Sequence, residues 1–271
     1  MASGEQPGKA DERGRGSLFT RLRSYFVFVP LIYLYTAVMG TLSLLSSLFD
    51  RDGRMQHWFA RTWSKMILKT LMVRVEMERL EHIDFGQPAV YAANHLSALD
   101  IPMLYATLPI QFRILAKKEL FRYPFLGWHL KRSGQIAVDQ SDARASLRSL
   151  NRAGETLRHG MPLVVFPEGG RSPDGQLQPF MGGAFYAALK AQVPVVPVVL
   201  IGAGELLPMN SFHGLPGTVH MIFCDPIPTD GMAPRDMDKL SARVRQVMAD
   251  VYYSRSGIGP GEAVSSGQVS G

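Results

Sequence analysis

A histidine and an aspartate five residues apart are the first candidates for chemistry in this sequence. His95 and the preceding Asn94 follow the apolar run 89–93, and Asp100 lies near the start of a helical pattern that Ser97 could cap. The run predicts a buried strand, and an open α/β sheet exposes its reactive groups where a strand leads into a helix. A carboxylate bound to one imidazole nitrogen leaves the other nitrogen as a base. The spacing therefore predicts a general-base pair, but Ser97 and Asp100 also fit a capping box, which needs no catalysis.

A second stretch, residues 163–172, is again an apolar run that leads into a polar, glycine-rich turn. Gly169 and Gly170 permit positive φ angles and close approach of the backbone. Turn amides together with the guanidinium of Arg171 suit an anion. A glycine pair alone would favour a plain surface turn after a core strand, so the prediction of an anion site depends on the neighbouring stretches.

Together the two stretches resemble the glycerolipid acyltransferases of the lysophosphatidic acid acyltransferase type. Asn94, His95 and Asp100 complete that family's N-H-x4-D motif. Residues 166–172 match its F-P-E-G-T-R-S motif, with Gly170 in place of the usual threonine. Three further segments are similar to the family's motifs and stand in the same order: residues 116–120, 124–127 and 193–198. The resemblance as a whole covers roughly residues 70 to 225.

Two positions depart from the family pattern. Gln140 stands where the family usually has an arginine after G-x-x-x-x-D, and Met181 stands where it often has the lysine of F-K-x-G. The resemblance implies that both missing cations would face the phosphate of the acceptor. The departures therefore bear on the identity of the acceptor more than on the type of reaction.

The resemblance implies transfer of a fatty acyl group from an acyl thioester to the free hydroxyl of a lysophospholipid, with 1-acyl-sn-glycerol-3-phosphate as the expected acceptor and phosphatidic acid as the product. The expected donor is acyl-CoA or acyl-carrier protein, with no cofactor and no metal. Since the sequence lacks a G-x-S-x-G elbow, direct attack is expected rather than an acyl-serine. The candidate catalytic pair is His95 and Asp100, and the candidate substrate-binding residues are Arg171, Glu168, Gly169, Gly170, Lys117 and Lys118.

Two alternative functions fit parts of the sequence. Gln140 and Met181 are compatible with a lysolipid acceptor other than lysophosphatidic acid. A non-catalytic membrane adaptor would use the apolar helices and the basic charge, but it would not need the His95 and Asp100 pair.

The composition is that of a basic protein with a sizeable core. Of its 271 residues, 46% are hydrophobic, and the formal net charge is +6. Nucleic acid, an anionic membrane or acidic ligands would suit this charge, and the sequence shows no nucleic-acid module or dense basic tract. The single cysteine, Cys224, excludes an intrachain disulfide and lies in an apolar run typical of a buried position. Together with the resemblance, which implies the acyl donor, the composition leaves membrane lipids and that donor as the expected partners, with no nucleic acid.

The N-terminal region predicts membrane association. Residues 1–17 are polar and predict a disordered tail, and residues 18–72 predict membrane-anchoring helices. The uncharged stretch 24–49 is long enough to cross a bilayer, although an interfacial or re-entrant helix and a soluble core helix are alternatives. Residues 55–72 predict a basic amphipathic helix that lies on a membrane or packs on the sheet. The resemblance implies a catalytic domain on the cytoplasmic side, at the inner membrane in a bacterium.

Residues 73–254 predict the acyltransferase domain, and the Gly/Ser-rich residues 255–271 predict a second disordered tail. Alternating strands and helices indicate an α/β fold with a mixed central sheet covered by helices. The predicted strands are 73–77, 89–93, 112–116, 135–138, 163–166, 195–201 and 218–224. One predicted helix follows residue 97, and the later predicted helices are 143–158, 183–191 and 236–253.

Overall fold

The structure is a computed structural model that describes residues 18–50 and 52–260. The predicted tail 1–17 and residues 261–271 of the second predicted tail lie outside the described residues. The first residues of that second tail are described: Arg255 ends a helix, and Ile258 packs against the core. The ordered domain therefore extends past the predicted boundary at residue 255.

The described part of the chain starts with a long, mostly exposed helix, α1 (Leu18–Ser46), whose most apolar stretch is only 11% buried. Its length and composition would allow it to cross a membrane. Pro30 lies inside this continuous helix. The π-helical turn Ser24–Phe28 directly precedes Val29 and Pro30, and a π-turn is one way for a helix to tolerate a proline that cannot donate a hydrogen bond.

Helix α2 (Arg54–Thr70) packs on the core with one face, as one of the two alternatives for residues 55–72 predicted. Its Ile67 and Leu68 lie in the hydrophobic core, while Met55 and Trp58 are exposed. Trp63 donates a hydrogen bond of 3.0 Å to Thr36 of α1. Helix α2 thus links α1 to the rest of the fold.

The corner between α1 and α2 is fixed to the sheet by a buried arginine. Arg113 at the start of β3 (Arg113–Lys117) is 8% exposed and donates a 2.7 Å hydrogen bond to the carbonyl of Asp52. Gly53 and Gly134 pass close to this guanidinium, both with positive φ, and a Cβ on Gly134 would lie 2.8 Å from Arg113 Nε. A side chain at Gly134 would therefore displace the arginine.

The described part of the chain contains a seven-stranded sheet in the order β1-β7-β6-β2-β5-β3-β4. Strands β6 and β7 pair antiparallel, and the other neighbouring strands pair parallel. The mixed sheet predicted from the sequence is confirmed. Besides β3, the strands are β1 (Val73–Glu78), β2 (Val90–Ala93), β4 (Ile136–Val138), β5 (Leu163–Val165), β6 (Val195–Ile201) and β7 (Gly217–Phe223).

Helices cover both faces of the sheet, and β2 is central. Along β2, Tyr91 and Ala93 face the core under α2 and α3 (Asp100–Thr107). Val90 and Ala92 face the core under α5 (Ala143–Arg158), α6 (Gly183–Ala191) and α8 (Met237–Arg255). All four residues have no exposed surface, as expected for a strand covered on both faces. The further helices are α4 (Leu126–Arg132) and α7 (Ala203–Leu206).

Candidate active site

Asn94 fixes the carboxyl end of β2 to the neighbouring strand β6. Its side-chain amide donates a 2.9 Å hydrogen bond to the carbonyl of Leu200 and accepts one of 2.7 Å from the Leu200 N–H. The side chain is fully buried, so both of its amide groups need such partners. This pairing sets the position of the next residue, His95.

His95 and Asp100 form the predicted pair. His95 Nδ1 lies 2.7 Å from Asp100 Oδ2. The histidine side chain is 16% exposed and lines a cleft, whereas the aspartate side chain has no exposed surface. His95 Nε2 has no hydrogen-bond partner within the described residues, and the ring stacks on Phe166 at 4.2 Å between centroids. A carboxylate thus orients the imidazole, and the second nitrogen is free for a ligand.

The capping interpretation of Asp100 is also partly correct. The same oxygen, Oδ2, accepts hydrogen bonds from the backbone N–H groups of Leu96 and Ser97 at 2.7 and 2.8 Å. Helix α3 begins at Asp100 with Leu99 at the N-cap, so the prediction of Ser97 as the cap is wrong by two residues. Ser97 Oγ instead accepts from the Leu99 N–H and donates to the carbonyl of Leu207. One carboxylate oxygen therefore holds both the imidazole and the start of the helix.

Glu168 turns towards the backbone of His95 rather than into the cleft. One carboxylate oxygen accepts a 2.7 Å hydrogen bond from the His95 N–H, and the other accepts one of 2.9 Å from the Gln178 N–H. Burial raises the pKa of Glu168 to about 7, although both hydrogen bonds oppose that shift. The Ser172 N–H donates a further 2.8 Å bond to the carbonyl of His95. The glycine-rich turn and the histidine are thus held together from both sides.

The turn at Gly169 and Gly170 leaves two amides available. Gly169 has φ +70°, and its N–H donates to the carbonyl of Phe166 at 3.0 Å, which closes the turn. In the described part of the chain, the N–H groups of Gly170 and Arg171 have no hydrogen-bond partner. Two adjacent free N–H groups are suitable donors for an oxyanion. The Gly169 amide, one of the turn amides predicted to suit an anion, is already used to close the turn.

The two residues that depart from the family pattern both pack on Gly169. A Cβ built on Gly169 would overlap Met181 Cε and lie 3.0 Å from Gln140 Nε2. Both side chains also line the cleft that contains His95. The surface beside the turn is therefore uncharged at these two positions.

The cleft has a volume of about 720 Å³ and combines a mostly apolar wall with two cations. Arg171 and Lys117 line it, and both are exposed without an ion pair among the described residues. Lys117 Nζ lies 3.7 Å from the Cβ position of Gly170, so this ammonium is close to the turn. Apolar side chains on the other walls include Ile101, Leu115, Leu120, Val138 and Leu150.

Lys118 is placed differently from the other candidate residues. Its Nζ lies 2.6 Å from Asp139 Oδ2, and this ammonium holds the pKa of Asp139 below its usual range. Lys118 lines a separate hollow rather than the cleft. The structure therefore brings His95, Asp100, Glu168, Lys117 and the turn together but leaves Lys118 outside. Sequence reasoning missed the positioning contacts of Ser172, Gln178 and Leu200, which no local pattern could reveal.

An apolar cleft with an oriented histidine and free backbone donors beside two cations is suited to acyl transfer onto an anionic acceptor. The sequence model of the acyltransferase family matches residues 74–201. The crystal structure of a 1-acyl-sn-glycerophosphate (LPA) acyltransferase from Thermotoga maritima superimposes with a TM-score of 0.70. It is 27% identical in sequence, and the alignment covers 88% of this chain and 95% of that one. These findings define the class of the protein as an O-acyltransferase.

Proteins with similar sequences identify the family within this class. A 1-acyl-sn-glycerol-3-phosphate acyltransferase from Chlamydomonas reinhardtii is 31% identical over 86% of this chain and 70% of its own length. The chloroplastic enzyme of that name from Brassica napus is 33% identical over 81% of this chain, and the match spans 62% of the Brassica protein. The human alpha form is 32% identical over 70% of this chain and 67% of its own length. The chain belongs to the 1-acyl-sn-glycerol-3-phosphate acyltransferase family, which confirms the resemblance noted in the sequence.

Proposed function

We propose that this protein transfers a fatty acyl group from an acyl thioester to the free hydroxyl of 1-acyl-sn-glycerol-3-phosphate and so forms phosphatidic acid. The observation that carries this proposal is the 2.7 Å contact between His95 Nδ1 and Asp100 Oδ2 at the cleft. Membership of the family supports the same reaction.

In the proposed mechanism, His95 Nε2 takes the proton of the acceptor hydroxyl as its oxygen attacks the thioester carbonyl. The buried carboxylate of Asp100 stabilises the imidazolium that results. The tetrahedral oxyanion accepts hydrogen bonds from the free N–H groups of Gly170 and Arg171. Its collapse expels the thiolate, which takes the proton back from His95. The new ester and the free thiol then leave, and the histidine is ready for the next cycle.

The cations of the cleft supply recognition of the acceptor in this proposal. The side chain of Arg171 binds the phosphate through its planar fork of donors, and Lys117 adds a second positive charge. Glu168 acts as a positioning residue through its bond to the His95 N–H. The reaction needs no cofactor, and the donor is acyl-CoA or an acyl-carrier protein. We further propose that α1 anchors the protein in a membrane with its catalytic domain on the cytoplasmic side.

A second acceptor is favoured by one specific observation. Gln140 and Met181 make the surface against Gly169 uncharged, where the family usually places cations. A lysolipid with a less negative headgroup would bind this uncharged surface better than a surface that carries the family's usual cations. A non-catalytic adaptor is less well supported, because it would not need an oriented histidine with a free nitrogen at a cleft.

Purified full-length protein should be incubated with acyl-CoA or acyl-carrier protein and a panel of lysolipids, and the products identified by mass spectrometry. The panel should include lysophosphatidic acid, lysophosphatidylethanolamine, lysophosphatidylcholine and a phosphate-free monoacylglycerol. We expect phosphatidic acid as the main product and a loss of about 10²–10⁴ in turnover for His95→Ala. Equal product from wild type and His95→Ala would overturn the mechanism, and a preference for another lysolipid would select the second acceptor.

A further inference from the structure

The segment between β3 and β4 exposes a cluster of large apolar side chains. Tyr123, Phe125, Leu126 and Trp128 are 59%, 62%, 46% and 50% exposed. The rings of Phe125 and Trp128 lie 5.2 Å apart between centroids. A single exposed apolar residue is normal on a protein surface, but a contiguous cluster marks a surface that binds something.

The backbone of this segment is strained where it presents the cluster. Phe125 has φ +60° and ψ −60°, a conformation that residues other than glycine avoid. Backbone bonds hold it in place: the Gly127 N–H donates to Tyr123 at 2.8 Å, and the His129 N–H donates to Phe125 at 2.9 Å. The fold thus bears a conformational cost at Phe125 and gains little packing from its ring. Strain of this kind is typical of functional sites.

Unpaired cations surround the aromatic cluster. Arg122 and Lys131 are exposed and form no ion pair with any of the described residues. Together with Lys118 and Arg152 they line a hollow of about 440 Å³ beside the cluster. Aromatic rings next to cations are the composition that proteins use at the interface of an anionic membrane.

The segment that carries the cluster is packed against α1. His129 of α4 contacts α1 through a 2.9 Å hydrogen bond between its Nδ1 and Ser43 Oγ. The exposed residues of α1 around Ser43 recur at helical spacing and form a stripe of Leu34, Val38, Leu42 and Leu45. Because Ser43 is buried, α4 packs on the covered side of α1, and this contact holds the cluster next to the helix that carries the exposed stripe.

We propose that residues 122–132 form a second membrane-contacting surface, which binds the interface of an anionic phospholipid bilayer. Phe125 and Trp128 enter the headgroup region, and Arg122 and Lys131 contact lipid phosphates. This inference rests on the proposed function of the protein at a membrane. An acidic carrier protein would also satisfy the cations, but it would leave the aromatic pair unexplained, so the bilayer is the favoured occupant.

The surface can be tested on the full-length protein with a fluorescent label. Because Cys224 is only 1% exposed, a thiol reagent would label the introduced cysteine of Phe125→Cys selectively. The label should be protected from iodide quenching, with a blue-shifted emission, in vesicles of phosphatidylcholine mixed with phosphatidylglycerol. Trp128→Cys provides a second position if Phe125→Cys folds poorly. Arg243→Cys, on the exposed side of α8, is the matched control and should stay accessible to iodide.

The role of the charges is tested by adding Arg122→Gln and Lys131→Gln to the labelled protein. We expect this change to abolish the difference in protection between anionic vesicles and pure phosphatidylcholine vesicles. Lys239→Gln with Arg243→Gln removes two exposed cations elsewhere and should leave the difference intact. Equal iodide quenching at position 125 with and without vesicles would overturn the proposal. Protection by an acidic acyl-carrier protein, but not by vesicles, would also overturn it and assign the surface to the acyl donor.

An activity assay separates this inference from the proposed function. Trp128→Ala should acylate detergent-dispersed lysophosphatidic acid at the wild-type rate but should lose activity on acceptor embedded in anionic vesicles. A wild-type protein that makes no product in either assay would contradict the proposed function, while the label would still report on the surface. An unchanged ratio of the two rates in Trp128→Ala would contradict the second membrane contact alone.

Discussion

Replacing Asp100 by asparagine would separate the two roles that its carboxylate has in the structure. Oδ2 accepts one hydrogen bond from His95 Nδ1 and two from the backbone N–H groups of Leu96 and Ser97. An asparagine amide oxygen can occupy the same place and accept the same three bonds. The negative charge is lost, and an NH₂ group takes the buried place of Oδ1, which has no hydrogen-bond partner among the described residues.

The lost charge is expected to affect the rate much more than the fold. Two unit charges about 4 Å apart attract each other by about 4 kcal/mol at an effective dielectric constant of about 20. About 1.4 kcal/mol corresponds to a tenfold change in rate, so losing this attraction to the imidazolium should lower kcat by about a thousandfold. The two backbone bonds change only from a charged to a neutral acceptor, at about 1 kcal/mol each. A Tm lower by several degrees follows, since about 1 kcal/mol corresponds to roughly 2–4 °C in domains of this size.

The assay is kcat at saturating donor and acceptor, with Tm measured on the same samples. Ser97→Ala is the matched control, because it removes hydrogen bonds to Leu99 and Leu207 at the start of α3 without touching the carboxylate. It should lower Tm and leave kcat within a few-fold of wild type. An Asp100→Asn protein that keeps kcat within tenfold of wild type while its Tm falls would refute the reasoning. The carboxylate would then serve only to cap the chain.

Three further predictions concern the acceptor, the pH dependence of stability and the membrane anchor. Arg171→Ala should lower kcat/KM for lysophosphatidic acid by about tenfold to a hundredfold, which is the scale of a charged hydrogen bond, and Arg171→Lys should lower it less. An equal loss on a phosphate-free acceptor would mean that Arg171 holds the turn. Gln140→Arg should raise kcat/KM for the phosphorylated acceptor. Because the pKa of Glu168 is raised to about 7, the stability that its protonated form contributes is complete below its ordinary value of about 4.5 and is lost as the pH rises through about 7. Tm should therefore fall with rising pH across this range more steeply in wild type than in Glu168→Gln, and parallel curves would contradict the shift. Deleting residues 1–50 should shift protein from the membrane fraction toward the soluble one, because α1 is lost. High salt should not release the full-length protein, because apolar burial is not screened. Complete release by salt would show that binding is only electrostatic.

Much of the fold could be predicted from the sequence because its elements carry strong local patterns. Helices α5 and α6 begin and end at the predicted residues, 143–158 and 183–191. Strand β6 also has its predicted bounds, since a continuous run of apolar residues between turns is typical of a strand covered on both faces. The other strands shift by one residue at their ends, where hydrogen bonding rather than composition sets the boundary.

Short and strained elements could not be predicted in the same way. Helix α4 was missed because its seven residues are too few for a periodic pattern, and because it starts after Phe125, whose backbone conformation no sequence rule assigns to phenylalanine. The four-residue helix α7 was missed for the same reason of length.

The candidate site was predictable in its residues but not in its contacts. The pair His95 and Asp100 is local in the chain, so its spacing could be interpreted directly. The bond from His95 N–H to Glu168 joins residues 73 positions apart, and Asn94 binds Leu200 across 106 positions. Only the order of the strands brings these groups together. For the same reason the sequence could not separate Lys117, which lines the cleft, from its neighbour Lys118, which pairs with Asp139.

The buried contact between Arg113 and the corner of α1 and α2 has a geometric consequence for a protein at a membrane. Arg113 starts β3, and Lys117 ends the same strand at the cleft. At about 3.3 Å per residue, the strand places the cleft about 13 Å from this corner. A strand does not stretch or swing as a linker would. With α1 in a bilayer, the reacting groups would therefore work at a constant height, and only lipids that present their hydroxyl at that height would be acylated.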